Sequence, residues 1–312
     1  MKMQNGRCLA AVDLGSNSFR LEVGSIEDGQ FSRKQYLKET VRLGGNIDEN
    51  GKLTTDAMQR GWDCLARFGS SLAGFNDKNV LAVATQTLRE AHNRDEFLLT
   101  GSKILGFPIR LITGNEEAKL IYQGVSQTLA HSTERRLVID IGGRSTELIV
   151  GQGLMPDAMD SYHIGSISWS MQYFPDNLFT QHSFEMAETA AKAVLGHALS
   201  RYQSQAWDTA YGSAGTVSAV SDVLAAANWP VGSVNRDGLD WLHDKLLTAQ
   251  SAKSLCLPGM REDRKAIIGG GLCILRSLFD LLGIKQLEQA AGGLRHGLLL
   301  DLMGSKPEIQ IT

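Results

Sequence analysis

A twelve-residue stretch occurs twice in this chain of 312 residues. Asp13-Leu-Gly-Ser-Asn-Ser-Phe-Arg-Leu-Glu-Val-Gly24 aligns with Asp140-Ile-Gly-Gly-Arg-Ser-Thr-Glu-Leu-Ile-Val-Gly151, and six of its positions are identical. Solenoid repeats have short periods and come in threes or more. Two copies 127 residues apart imply instead two domains on one plan, and the length agrees, at roughly 150 residues per domain. Each copy reads as a strand ending in Asp, a turn of small residues, and a second strand.

The rest of the chain alternates strand and helix patterns, the signature of α/β architecture. Cys8–Leu14 and Phe19–Ile26 read as a hairpin, with Phe31–Leu37 as a third strand. Met58, Trp62, Leu65, Phe68 and Leu72 predict an amphipathic helix over 54–73. Val80–Ala84 and Ile109–Ile112 are strand-like, and Asn115 caps a helix reaching about Thr128. Leu137–Ile141 and Glu147–Val150 repeat the opening hairpin. Helices follow over 184–202, 216–227, 266–282 and 293–303, with a strand over 208–211. The boundary falls in or just after the Asn115 helix. Domain I is then 1–124, joined by the C-terminal segment 294–312, and domain II is 125–293.

Composition narrows the function class. Net charge is −3, with 31 basic and 34 acidic residues, which argues against a bulk electrostatic binder of nucleic acid or membrane. No apolar run reaches the about eighteen residues of a membrane span, and the N-terminus lacks the apolar centre of a signal peptide. Four cysteines without a CxxC pair fit reduced thiols in a cytoplasmic protein. The seven histidines have no zinc-ligand spacing, and no GxSxG elbow is present. Gly51-Lys52 is followed by Leu53, so it is no Walker A loop, and no GxGxxG opens a helix after a strand.

The repeated turn carries the chemistry. Small residues let backbone N–H groups converge on an anion. Ser16, Ser18 and Ser145 add hydroxyls, and the Asp ending each first strand suits Mg²⁺ beside phosphates. One such turn alone is the ordinary way to join two strands; two copies with matched Asp residues favour phosphate loops. Glu116 and Glu117 open a helix, where they either complement its dipole or supply a general base. Glu147 is the natural second acid, or else a solvent-facing strand residue. Arg89 lies in the first turns of a helix, a poor place for a cation unless an anion holds it. Gly212-Ser-Ala-Gly-Thr216 is a third strand-to-helix turn, either a plain connection or an anion site. Arg261, Arg264 and Lys265, with Arg20, Lys119 and Arg295, are a candidate path for a long anion or simply a solvated face.

Taken in chain order, AAVDLGSNSFRL (10–21), VRLGGNIDENGKL (41–53), VATQTLREAHN (83–93), TGNEEAKLIYQGV (113–125), LVIDIGGRSTELIVG (137–151), GSAGT (212–216) and LRHGLLLDL (294–302) make the chain resemble the exopolyphosphatase/guanosine pentaphosphate phosphatase family. The resemblance covers nearly the whole length. It implies the two-domain actin-like, sugar-kinase-like (ribonuclease-H-like) α/β fold with an interdomain cleft. It also implies a Mg²⁺-dependent hydrolase that removes the terminal phosphate of polyphosphate, with pppGpp as the alternative substrate and a homodimer as the assembly. Glu117 would be the catalytic base, Arg89 would brace the terminal phosphoryl group, and Asp140 and Glu147 would hold Mg²⁺, with Asp13 a further candidate. Ser16, Asn17, Ser18, Gly142, Gly143, Arg144 and Ser145 would bind phosphate.

Two positions depart from the family pattern. Arg144 stands where the second loop normally has a third Gly; it either strains a turn needing positive φ or adds a guanidinium beside the phosphates. His296 stands where the closing motif normally has Glu. Outside hydrolysis, the alternatives are an actin-like kinase using ATP and a sensor that binds polyphosphate or an alarmone without turnover.

Overall fold

The computed structural model describes residues 7–27 and 30–304. They fall into two compact units: the residues up to Ala130 together with those from Gly292 onward, and His131–Ala291 between them.

The first unit opens with β1 (Arg7–Leu14), β2 (Ser18–Glu27) and β3 (Gln30–Thr40), and continues through α1 (Thr55–Ser71), β4 (Val80–Ala84), the short α2 (Gln86–Glu90), α3 (Arg94–Leu105), β5 (Ile109–Leu111) and α4 (Gly114–Ser126). Its sheet has the order β3-β2-β1-β4-β5. The two hairpin pairings are antiparallel, and β1, β4 and β5 run parallel. β1 is buried along nearly its whole length, as a central strand covered on both faces must be. Ala10, Val12 and Leu14 meet α1 and α3 through Leu65, Phe68 and Phe97. The Thr54 side chain caps α1 by accepting from the Ala57 amide.

The second unit runs β6 (Arg135–Ile141), β7 (Thr146–Gln152), β8 (Met155–Tyr162), α5 (Ser166–Tyr173), α6 (Gln181–Leu195), β9 (Thr209–Ser213), α7 (Ala214–Ala226), β10 (Ser233–Asn235), α8 (Arg236–Ala249), α9 (Glu262–Lys265), α10 (Ile268–Leu282) and β11 (Gln286–Gln289). Its order, β10-β11-β9-β6-β7-β8, repeats the first sheet with β6, β7, β8, β9 and β11 in the places of β1, β2, β3, β4 and β5. β10 is an added edge strand. Leu137, Ile139, Leu148 and Val150 share one core with Trp169, Phe184, Val217 and Leu275. The chain then returns to the first unit as α11 (Leu294–Met303), which packs on α4 and β1. That approach is backbone to backbone, since a Cβ on Gly124 or Gly297 would collide with main-chain atoms of the facing helix.

The duplication goes deeper than identity of residues. Both second strands slip register at the Val-Gly that closes the repeat, at Val23/Gly24 and at Val150/Gly151. The order 3-2-1-4-5, carried twice, is the ribonuclease-H-like half doubled, so the chain has the two-domain actin-like fold.

Several boundaries differ from the sequence expectation. Thr113, not Asn115, caps α4, because its hydroxyl accepts from the Glu116 amide while Glu116 reaches back. The helix expected over 184–202 starts at Gln181 and ends at Leu195, where Gly196 begins a 3₁₀ segment. β8, α5 and α8 have no counterpart in the sequence expectation, although α8 buries Leu239, Leu242 and Leu246 at helical spacing. The third strand expected over 31–37 lies within Gln30–Thr40, and the tail of 294–312 beyond Gly304 lies outside the described residues. Among the described residues no helix is long and apolar enough to cross a membrane.

Candidate active site

In the first unit the turn after β1 joins it to β2 through Gly15, Ser16 and Asn17. The Ser16 carbonyl accepts from the Gly44 amide (2.8 Å) and the Asn17 carbonyl from the Arg42 amide (2.9 Å). Arg42 takes left-handed backbone (φ +57°) to make that contact. In the second unit the Gly142 and Gly143 carbonyls accept from the Ser166 and Ile167 amides at the start of α5 (2.9 and 2.8 Å). A trans peptide points its carbonyl and the next N–H in opposite directions. Drawing these carbonyls inward therefore turns the N–H groups of Asn17 and Ser18, and of Gly143 and Arg144, to the other side of each turn. That is the arrangement an anion-binding loop needs.

The two turns also share their tight point. A Cβ on Gly15 would stand 3.0 Å from the Ser18 carbonyl, and one on Gly142 would stand 3.2 Å from the Ser145 carbonyl. Ser16, Ser18 and Ser145 are all buried. Arg144 does not adopt positive φ, so the strain alternative falls away.

Each turn is tied to a helix start. Thr85 Oγ1 donates to the Leu14 carbonyl (3.4 Å), and Thr216 Oγ1 donates to the Ile141 carbonyl (2.9 Å). Leu14 and Ile141 occupy the same place in the repeat. The first tether sets α2, which carries Arg89, beside the first turn.

Arg89 is no solvated surface cation. Its Nη1 donates to Glu117 Oε2 (2.8 Å) and to the Ile112 carbonyl (3.0 Å), while Nε and Nη2 donate to Gln86 Oε1 (2.9 and 2.6 Å). Glu117 is buried near the start of α4. The neighbouring carboxylate has the structural task. Glu116 Oε2 accepts from the Thr113 amide (2.8 Å) and hydroxyl (3.0 Å), and those bonds hold its carboxyl below the usual range. The structure thus brings Arg89 and Glu117 together and sets Glu116 apart as a cap.

The two repeat copies differ at one cross-strand pair. In the second unit Asp140 lies in register with Glu147, so two carboxylates face each other. Both are buried, and the Ser161 hydroxyl on β8 donates to Glu147 Oε1 (2.7 Å). Glu147 is therefore not the solvent-facing residue that one sequence reading allowed. In the first unit the same pair is Asp13 and Arg20, joined by an ion pair of 3.0 Å. No cluster of three or more metal-binding side chains occurs among the described residues. A two-carboxylate donor set beside a phosphate loop suits Mg²⁺, which keeps waters and substrate oxygens as its other ligands.

The third turn, which the sequence reads either as a plain connection or as an anion site, lies against a buried cation. Ala214 opens α7 in left-handed backbone (φ +63°), and the buried Arg264 guanidinium packs directly over Gly215. Its neighbours in the basic cluster pair with acids of the same short segment: Arg261 with Asp263 (2.9 Å) and Lys265 with Glu262 (2.6 Å). Arg295 serves the first unit's interior, donating to Glu22 (2.8 Å). Ser161, which orients Glu147, carries no sequence signal, whereas Gln86, which orients Arg89, lies inside the segment 83–93. Arg20 did carry one, since it stands opposite Glu147 in the repeat alignment.

The chain is similar to known proteins over nearly its whole length. The model of the Ppx/GppA phosphatase family matches residues 23–306. A Haemophilus influenzae protein named "Putative exopolyphosphatase" is 38% identical over 298 residues, covering 96% of this chain and 92% of that one. A Vibrio atlanticus guanosine-5'-triphosphate,3'-diphosphate pyrophosphatase is 39% identical over 294 residues, covering 94% of this chain but only 59% of its own length. Among solved structures, an exopolyphosphatase from Cytophaga hutchinsonii superposes with a TM-score of 0.85 at 23% identity, over 96% of this chain and 99% of that one. The Aquifex aeolicus PPX-GPPA enzyme gives 0.77 at 23% identity, over 94% and 99%. These two similarities show the fold.

Proposed function

The chain belongs to the Ppx/GppA phosphatase family, and on that premise we propose that it is an exopolyphosphatase, hydrolysing the terminal phosphate of inorganic polyphosphate with Mg²⁺. The observation that carries the chemistry is the in-register Asp140–Glu147 pair beside a Gly-Ser turn with inward carbonyls. Polyphosphate is favoured as substrate because the relative named for it matches this chain over nearly its own full length. Hydrolysis of pppGpp is the second reading, supported by the 39% identity to the Vibrio relative.

In this proposal Glu117 accepts a proton from the attacking water as that oxygen bonds to the terminal phosphorus, while the bond from that phosphorus to the bridging oxygen breaks and the shortened chain leaves with the bridging oxygen and its electron pair. Its bond to Arg89 (2.8 Å) fixes one carboxylate oxygen and so orients the other. Arg89 braces the terminal phosphoryl group as charge redistributes. Ser16, Asn17, Ser18, Gly142, Gly143, Arg144 and Ser145 hold phosphate oxygens through backbone amides and side chains. Asp140 and Glu147 would hold Mg²⁺, which supplies charge neutralisation at the phosphoryl oxygens. Such positioning and electrostatic stabilisation are most of what phosphoryl transfer requires. Four unpaired thiols are in keeping with a cytoplasmic protein, and a homodimer completes the proposal on family resemblance.

The test is phosphate release from long-chain polyphosphate and from pppGpp, in parallel with Mg²⁺ and with Glu117→Ala as control. Release from polyphosphate that disappears in the variant supports the proposal. Release from pppGpp alone moves the assignment to the second reading. Binding of both without release, unchanged by Glu117→Ala, would make the protein a sensor.

A further inference from the structure

We infer that Gln86 and Glu90 are positioning residues for the reaction. Together they aim the Arg89 guanidinium, and through it they hold Glu117 in the orientation from which it takes the water's proton. This rests on the phosphatase reading above and adds to it the two side chains that fix its base.

Gln86 stands three residues before Arg89 and four before Glu90 on α2, the spacings that bring side chains together on one face of a helix. It is 1% exposed. Its amide touches two groups of opposite charge, and each end meets the one it suits. Oε1 accepts from Arg89 Nε and Nη2 (2.9 and 2.6 Å), and Nε2 donates to Glu90 Oε1 (2.7 Å). A flipped amide would set donor against donor at the guanidinium and acceptor against acceptor at the carboxylate. The two charges therefore fix the direction of the amide, and the amide fixes the arginine.

Arginine has five N–H donors, and Arg89 commits four of them to its own unit. Two go to Gln86, one to the Ile112 carbonyl (3.0 Å) and one to Glu117 Oε2 (2.8 Å). The guanidinium is thus held from α2, from the chain just beyond β5 and from α4. Gln86 takes the Nε–Nη2 edge and so sets the plane of the group, because bonds at Nη1 alone would let it swing. The remaining N–H, on Nη2, is the one available to a terminal phosphoryl group. Arg89 therefore meets substrate through a single donor whose direction Gln86 sets, not through an open two-pronged fork. Reacting groups must be held within about 0.5 Å and 10–20° of the productive geometry. Loosening Gln86 therefore raises the barrier of the chemical step more than it weakens substrate binding.

The first test is steady-state phosphate release from polyphosphate. Gln86→Met, which keeps the length of the side chain and removes its polar end, should lower kcat about tenfold with KM within about twofold. Glu90→Ala should lower kcat about threefold, and Glu90→Gln, which keeps an acceptor for the Gln86 amide, should recover most of that loss. A lower melting temperature with unchanged kcat in Gln86→Met and Glu90→Ala would make the pair merely structural and overturn the proposal. A lower KM with unchanged kcat in Gln86→Met would also overturn it, since Gln86 would then compete with substrate for the guanidinium. The second test does not depend on turnover. The Arg89 Nε–H signal in the nuclear magnetic resonance spectrum of arginine-labelled protein is identified by its loss in Arg89→Lys. Its exchange with solvent should be at least about tenfold faster in Gln86→Met than in the wild type, and equal rates overturn the proposal. If Gln86→Met does not fold, the two Glu90 variants decide: equal loss of kcat in both removes the role of the amide. Absence of phosphate release from the wild type sinks the hydrolase reading, while the exchange rates still decide whether Gln86 holds Arg89.

Discussion

Glu116 and Glu117 are adjacent in sequence and have different partners in the fold. The first closes a capping box with Thr113, and the second pairs with Arg89 across the end of the sheet. Glu116→Ala should cost about 1 kcal/mol of stability, the usual price of a lost cap, and leave turnover intact. Thermal melting and phosphate release on the same preparation check both halves; loss of turnover at unchanged stability would return Glu116 to the chemistry. Nothing in the sequence alone separates the two glutamates, because a helix start explains either. His296 is a second residue whose meaning lay in its surroundings. It is buried beside Glu22, with Nε2 3.9 Å from Oε1, and burial, with Arg295 nearby, brings its pKa down to about 4. Burial pushes the Glu22 carboxyl up, but Arg295, His296 and Arg33 together hold it below the usual range. Between pH 6.5 and about 4 the unfolded chain protonates this histidine and the folded chain does not. Stability therefore falls as pH drops through that window, by about 3 kcal/mol at most. The Glu22 contribution is lost only below its ordinary value of 4.5. Denaturant melts from pH 7 to 4.5 should show this slope in the wild type and a shallower one in His296→Gln; equal slopes would assign the acid sensitivity elsewhere.

At the scale of elements, legibility followed periodicity. Val80–Ala84 is a strand with the bounds its sequence gives, because a short apolar run between polar flanks has few other uses. α1 runs Thr55–Ser71, close to its apolar pattern. β8 escaped notice because MPDAMDSY neither alternates nor forms an apolar run, and every one of its residues is exposed or half-buried. It exists because the antiparallel partner β7 templates it, and it matters because it delivers Ser161 to Glu147. The repeat was legible as far as its twelve residues. The alignment could not show that Thr85 and Thr216 tether equivalent helices to equivalent carbonyls, since neither threonine lies within the matched stretch. The segment 41–53 was legible as a motif without a task. Its Arg42 and Gly44 amides hold the carbonyls of the first turn.

Across the whole molecule, the first unit is built from two separate pieces of chain and the second from one. The piece that closes the first unit is α11, which buries Leu294, Leu298, Leu299 and Leu300. At about 1.5–3 kcal/mol per buried side chain, these four contribute roughly 6–12 kcal/mol as an upper estimate. That is comparable to the whole stability of a typical domain, about 5–15 kcal/mol. A chain ending at Ala291 should therefore fail to fold its first unit, since the faces of β1 and α4 that α11 covers would meet water. Hydrogen exchange should show fast exchange throughout β1, β4 and α4, while β6, β7 and β9 keep their protection because their core lies wholly within His131–Ala291. Protection retained in β1 would mean that α11 adds little to the first unit. In that case the glycine contacts between α4 and α11 would serve to place Glu117 rather than to hold the unit together, and phosphate release by the shortened chain would fall while its sheet survived.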